Sequence, residues 1–177
     1  MSEQITPELQ AKIEATAALL KKAVADHDGS IVLANSLGAE DVVLTDLLAK
    51  FAPEIPMFVL DTGRLPEETL KLLAEVRDTY ANLQVNVYYP EAADVEAYVQ
   101  ENGVNAFYES QELRKGCCFV RKIKPLKRAL SNHKAWITGL RREQSVTRDE
   151  IQLEEWDEGN NMHKLNPLAD WSEKEIW

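Results

Sequence analysis

Cysteine is nearly absent from this chain. There are two in 177 residues, Cys117 and Cys118, and they are neighbours. Adjacent cysteines do not make a disulfide framework, so the cysteine usage gives secretion no support. Long apolar runs are missing too. None approaches the roughly eighteen residues of a membrane span. The start, Met1-Ser2-Glu3-Gln4, lacks a basic stretch followed by an apolar one, so no signal peptide is expected. A cytoplasmic protein without a membrane partner is the expectation. Basic charge is scarce overall: the net charge is −10, which argues against general nucleic-acid binding. At 45% hydrophobic residues the chain can bury one good core, and a single domain over residues 1–177 is expected.

The charge is unevenly placed. Eleven of the twenty Lys and Arg fall between Arg114 and Arg148, against one acid, Glu143. A basic block of this kind is commonly a solvated face. Here it is interleaved with Cys117, Cys118, Gly139 and two apolar runs, a pattern closer to a focused anion site than to a tail.

Periodicity predicts helices over residues 8–25, 42–48, 66–80 and 120–130, with helical material over 92–113 broken near Gly103. Strands are predicted at 30–34, 56–60, 84–89 and 135–138. Strands alternating with helices imply an α/β fold, a mostly parallel twisted sheet flanked by helices, with ligands at the carboxyl ends of the strands. Residues 151–156 and 162–165 read as a hairpin. Ser172-Glu173-Lys174-Glu175 reads as a capping box. The helix it opens stops at Trp177, and two late tryptophans want a partner surface, so a missing C-terminal segment is expected.

Three strand ends carry candidate sites. Asn35-Ser36-Leu37-Gly38-Ala39-Glu40-Asp41 is a small-residue turn into a helix, either an anion site or a purely structural turn. It lacks the Lys of a G-x-x-x-x-G-K-[ST] loop. Asp61, Thr62 and Arg64 follow the second strand and suit a ribose or base, or cap their own helix. Thr138-Gly139-Leu140-Arg141-Arg142 leads on to Arg148, and guanidinium groups suit phosphate or sulfate. Cys117 and Cys118 have three readings open: small buried apolar residues, a zinc site, or ligands to two irons of one cluster. Zinc would prefer a C-x-x-C spacing. His27, His133 and His163 are scattered and read as surface or structural residues.

Taken in order, Ser36-Leu37-Gly38-Ala39-Glu40-Asp41, Leu60-Asp61-Thr62-Gly63-Arg64, Gly116-Cys117-Cys118 with Arg121-Lys122-Ile123-Lys124-Pro125-Leu126, Thr138-Gly139-Leu140-Arg141-Arg142-Glu143-Gln144-Ser145 and Asn166-Pro167-Leu168-Ala169-Asp170-Trp171 resemble the assimilatory sulfonucleotide reductases. The resemblance runs from about residue 30 to the end. It implies an adenine nucleotide α-hydrolase-like fold with a modified pyrophosphate loop. It implies thioredoxin-dependent reduction of adenylyl sulfate to sulfite and AMP. The adjacent cysteines are similar to those of the branch that carries a 4Fe–4S cluster and favours adenylyl sulfate over the 3′-phosphorylated nucleotide.

Carried over residue by residue, the resemblance places Ser36 and Gly38 at the sulfate–phosphate end and Leu60, Thr62 and Gly139 around the adenosine. Lys122 would bridge cluster and substrate, Arg148 together with Arg142 would grip the phosphosulfate, and Cys117 and Cys118 would be cluster ligands. That branch continues with a C-x-x-C pair and a nucleophilic cysteine in a C-terminal Glu-Cys-Gly segment, none of which occurs here. The expectation is therefore a chain without its catalytic cysteine and inactive by itself. The alternatives are a 3′-phosphoadenylyl-sulfate reductase and a non-catalytic nucleotide- or cluster-binding module. Oligomeric state is open.

Overall fold

The computed structural model describes residues 5–144 and 151–177. The chain opens with α1 (Pro7–Asp26), which Thr6 caps by accepting from the Leu9 N–H at 3.2 Å. Asp28 and Gly29 then take left-handed backbone angles, and Gly29 N–H donates to Val24 O at 2.8 Å. This closes the helix and turns the chain into β1 (Ile31–Asn35). There follow α2 (Ala39–Phe51), β2 (Met57–Leu60), α3 (Glu67–Thr79), β3 (Val85–Tyr88) and α4 (Ala92–Asn102).

Gly103 breaks the helical stretch with φ +95°, as the sequence predicts near that residue. A short 3-10 turn (Ala106–Tyr108) leads to α5 (Gln111–Cys118), then a π-helical turn (Phe119–Ile123), then α6 (Lys124–Leu130). The helix predicted at 120–130 is thus the second half of a longer one. Its cause is Pro125, which has no N–H to donate and whose ring crowds the preceding turn. The ladder loosens there, and Lys124 N–H bonds to Phe119 O, five residues back.

β4 (Ala135–Ile137), β5 (Glu154–Asp157), β6 (Met162–Leu165) and a short α7 (Glu173–Ile176) complete the elements. The strands form one six-stranded sheet of order β3-β2-β1-β4-β6-β5. All neighbours pair in parallel except β5, which runs antiparallel to β6 at the edge. The predicted hairpin is therefore present, and its second strand joins the main sheet beside β4.

Alternation along the strands builds two layers. Ile31, Leu33, Met57, Val59, Ala135, Ile137 and Leu165 face one side, against Leu20, Leu44, Leu48 and Val76 of the first three helices. Val32 and Phe58 face the other, against Ala129 and Leu130 of α6. Trp171 is buried in the first layer with Ile176, whereas Trp177 is exposed. The expected capping box is formed: Ser172 and Glu175 bond reciprocally. Among the described residues no helix is long and apolar enough to cross a membrane.

The order 3-2-1-4 places a topological switch between β1 and β4. The chain winds outward from β1 to β3, then crosses back to add β4 on the other side. Loops leaving β1 and β4 diverge there and open a crevice at the carboxyl ends of the strands.

Candidate active site

A cavity of about 510 Å³ occupies that crevice. Three strand ends line it: Asn35 and Ser36 at the end of β1, Leu60 and Thr62 at the end of β2, and Thr138, Gly139 and Leu140 after β4. Its interior is apolar, with Phe58, Leu65, Leu126 and Trp136. Lys122, Lys164 and Gln144 also line it, as do the carboxylates Glu40 and Asp41. A slot with apolar walls and a few polar groups is the usual form of a small-molecule site.

The loops after β1 and β4 are locked together by Asp41. Its Oδ2 accepts from both the N–H and the hydroxyl of Ser36, each at 2.6 Å, and Gly139 N–H also donates to the carboxylate. Burial pushes the Asp41 carboxyl above the usual range; the bonds from Ser36 and Gly139 pull the other way, and neighbouring Glu40 adds to the rise. A β-carbon on Gly139 would overlap Asp41 Oδ1 and lie 3.0 Å from Glu40 Cβ. The glycine is required by this close approach.

A second clamp runs alongside. Arg141 is buried, with 5% exposure, and its guanidinium pairs with Glu40 at 2.8 Å and Glu143 at 3.0 Å. Burial raises Glu40, but bonds from its own backbone N–H, Arg141 and Gln144 more than offset this and hold it below the usual range. Leu37, between Ser36 and Gly38, adopts φ +64°, a conformation that β-carbons disfavour. Burial of its side chain and a 2.7 Å bond from its N–H to Asn35 Oδ1 hold it there.

Thr62 and Asp61 bond their own turn rather than the following helix. Asp61 Oδ1 accepts from Gly63 N–H at 2.8 Å and Thr62 Oγ1 from Arg64 N–H at 3.2 Å. The turn is tied to the π-helical segment, because Arg121 donates to Thr62 O at 2.8 Å. That tie and the π turn bring the neighbouring Lys122 to the cavity.

The basic segment proves largely structural. Lys124 pairs with Asp94, Arg128 with Glu91, Lys134 with Asp28 and Arg141 with Glu40. Lys122 forms no ion pair among the described residues and lines the cavity. It is the member of the block whose charge remains for a ligand there.

Of the residues singled out from sequence, Ser36, Leu60, Thr62, Lys122 and Gly139 line the one cavity. Gly38 is adjacent, as the N-cap of α2, and no side chain caps that helix. Arg142 is not brought to the cavity: it donates to Ile151 O at 2.6 Å and pairs with Asp170. Arg148 lies outside the described residues. Cys117 is buried and Cys118 exposed, at the end of α5. Asp41, Trp136 and Lys164 were missed as site residues. Asp41 stood inside a quoted motif; nothing in the sequence sets Trp136 and Lys164 apart from other strand residues.

The scattered histidines are not all isolated. His27 at the end of α1 meets His163 of β6, with ring centroids 5.0 Å apart.

Comparison with known proteins agrees with this geometry. Residues 30–177 match the family described as the phosphoadenosine phosphosulfate reductase domain. The chain is 49% identical over 173 residues to an adenosine 5′-phosphosulfate reductase of Burkholderia cepacia, covering 98% of this chain and 68% of that protein. It is 49% identical over 164 residues to the protein of the same name from Allochromatium vinosum, covering 93% of this chain and 64% of the other. The chain thus spans about two thirds of these relatives' length. Among solved structures, the phosphoadenylyl-sulfate reductase from Candida auris in its phosphate complex superposes with a TM-score of 0.76 at 21% identity, covering 99% of this chain and 86% of that one. At that identity the likeness speaks for the fold.

Proposed function

The chain belongs to the phosphoadenosine phosphosulfate reductase domain family, and on that premise we propose that it is the nucleotide-binding part of an adenylyl-sulfate reductase. In the complete protein the reaction yields sulfite and AMP, with thioredoxin as the reductant. The observation that carries this reading is the cavity at the β1/β4 switch, largely apolar and lined by Lys122.

The purine fits the apolar slot between Leu60, Phe58 and Trp136, with Thr62 and Gly139 beside the ribose. The phosphosulfate lies toward Gly38 and Lys122. Both donors of Ser36 are occupied by Asp41, so Ser36 positions the loop and the anion faces the positive end of α2. Arg148 remains the candidate for an additional phosphosulfate contact.

Cys117 and Cys118 would supply thiolates for two of the four ligands that a 4Fe–4S cluster needs. The cysteines of these 177 residues therefore fit half of a four-cysteine ligand set, and such a cluster would need two further ligands. Consecutive helical residues point about 100° apart, consistent with one thiol being buried and the other exposed. Lys122, four to five residues on, would place a cation between such a group and the nucleotide. The nucleophilic cysteine that takes up the sulfonyl group likewise lies outside this chain, and thioredoxin thiolate exchange would release sulfite from it.

Two measurements test the reading. Titration of the chain with AMP and adenylyl sulfate should show saturable one-site binding. The complete protein with adenylyl sulfate and reduced thioredoxin should release sulfite, faster than with the 3′-phosphorylated nucleotide. No binding by the chain, or no sulfite from the complete protein, would remove the proposal. A faster rate on the 3′-phosphorylated nucleotide would replace the substrate.

A further inference from the structure

On the face of β6 opposite the cavity-lining Lys164, three side chains from separate elements converge. His27 ends α1, Glu154 begins β5, and His163 stands near the start of β6. One potential ligand atom from each lies within 4.8 Å of the other two. Glu154 and His163 share a face of the hairpin: Trp156 is directly opposite His163, and Glu154 is two residues away, on the diagonal. We propose that His27, Glu154 and His163 form a binding site for a divalent transition metal, zinc above all, separate from the nucleotide site.

The first support is the state of His27. Its residue is 7% exposed, and its Nε2 is buried with no hydrogen-bond partner. A buried polar nitrogen without a partner is destabilising. A metal bond would satisfy it.

The donor set selects the metal class. Two imidazoles and one carboxylate are a zinc set that leaves a fourth position for water. A single carboxylate is too few oxygens for a calcium cage. Zinc bonds of about 2.0–2.2 Å place tetrahedral ligands roughly 3.4 Å apart. The His163 Nδ1 to Glu154 Oε1 separation is 4.0 Å, and both side chains are partly exposed, so small torsional changes suffice to close it. Trp156 packs edge-on against the His163 ring and limits its orientations. The neighbouring cation, Lys22, is held by Asp26 and does not occupy Glu154. The site would link the end of the first helix to the edge hairpin.

The test must separate this site from the cysteines, which also bind zinc. The C117S/C118S chain, its fold checked by circular dichroism, is titrated with ZnCl₂ by calorimetry. Cobalt(II) absorption provides a second readout. One equivalent is expected, with a Kd of micromolar or below and cobalt bands lacking thiolate charge transfer. His163→Ala and Glu154→Gln, both at partly exposed positions, should each weaken binding at least tenfold. If C117S/C118S does not fold, the same two substitutions in the parent chain should abolish the thiolate-free cobalt bands. Absence of one-site binding, or binding unchanged in His163→Ala, overturns the proposal. Loss of zinc binding with nucleotide binding intact would leave the nucleotide-site reading standing.

Discussion

Asp41 occupies the space that a side chain on Gly139 would need. The Asp41 carboxylate, in the first turn of α2, accepts from the Gly139 N–H, and its Oδ2 accepts from Ser36. The two loops that frame the cavity are therefore one unit. Gly139→Ala should force Asp41 aside, costing about 1–3 kcal/mol as an overpacked site. Nucleotide affinity should fall with it. Thermal unfolding and calorimetric titration with AMP check both effects.

Lys122 lines the cavity and forms no ion pair among the described residues. Lys122→Met keeps much of the stem and removes the charge. AMP binding should weaken by roughly tenfold, the size of one charge-assisted contact, while adenosine binding should barely change. Equal effects on the two ligands would mean that the side chain packs rather than pairs.

The position of Lys122 depends on the π turn before Pro125. Pro125→Ala restores the missing N–H and allows an ordinary α-helix through this segment. Stability should change by no more than about 1–2 kcal/mol, the propensity gain offsetting the lost packing. Lys122 should then turn away from the cavity, and AMP affinity should drop toward that of Lys122→Met. Hydrogen exchange at Lys124 and Pro125→Ala reports the ladder directly.

The last helix is tied to the first by Lys12 and Glu175, 2.7 Å apart, with the Asp170 carbonyl on the same ammonium. The lysine bond and the Ser172 backbone hold the Glu175 carboxyl at about 2, below its ordinary 4.5. A depressed acid stabilises the fold above its unfolded pKa and loses that contribution as pH falls. Glu175→Gln should therefore lower stability by about 1–2 kcal/mol at pH 7, discounted for partial exposure. The gap to the parent chain should close between pH 4.5 and about 2. Denaturant unfolding across that range measures it.

Arg141 is buried among Glu40, Glu143 and the Trp171 carbonyl. Arg141→Lys keeps the charge but cannot serve these acceptors with one planar fork. A loss of about 2–4 kcal/mol is expected, close to that of a broken buried pair, read as a lower unfolding midpoint.

The sequence by itself determined the elements and their layers. Alternation at Ile31-Val32-Leu33 and Met57-Phe58-Val59 sets two faces, because side chains of a strand point to opposite sides regardless of what covers them. The capping box at Ser172 and the break at Gly103 are likewise local chemistry. Loops at successive strand ends could be read as one rim, since parallel strands share a direction. Tertiary structure decided which charges are used. Arg141, Arg142 and Lys122 look alike along the chain, but only folding shows that Glu40 and Asp170 take the first two. It also decided that Gly139 must be a glycine, that Lys122 of the π turn lines the cavity, and that His27 meets His163 136 residues on. The physical reason is common to these cases: an ion pair, a close approach and a ligand set are distances between segments, and sequence spacing fixes distances only within one.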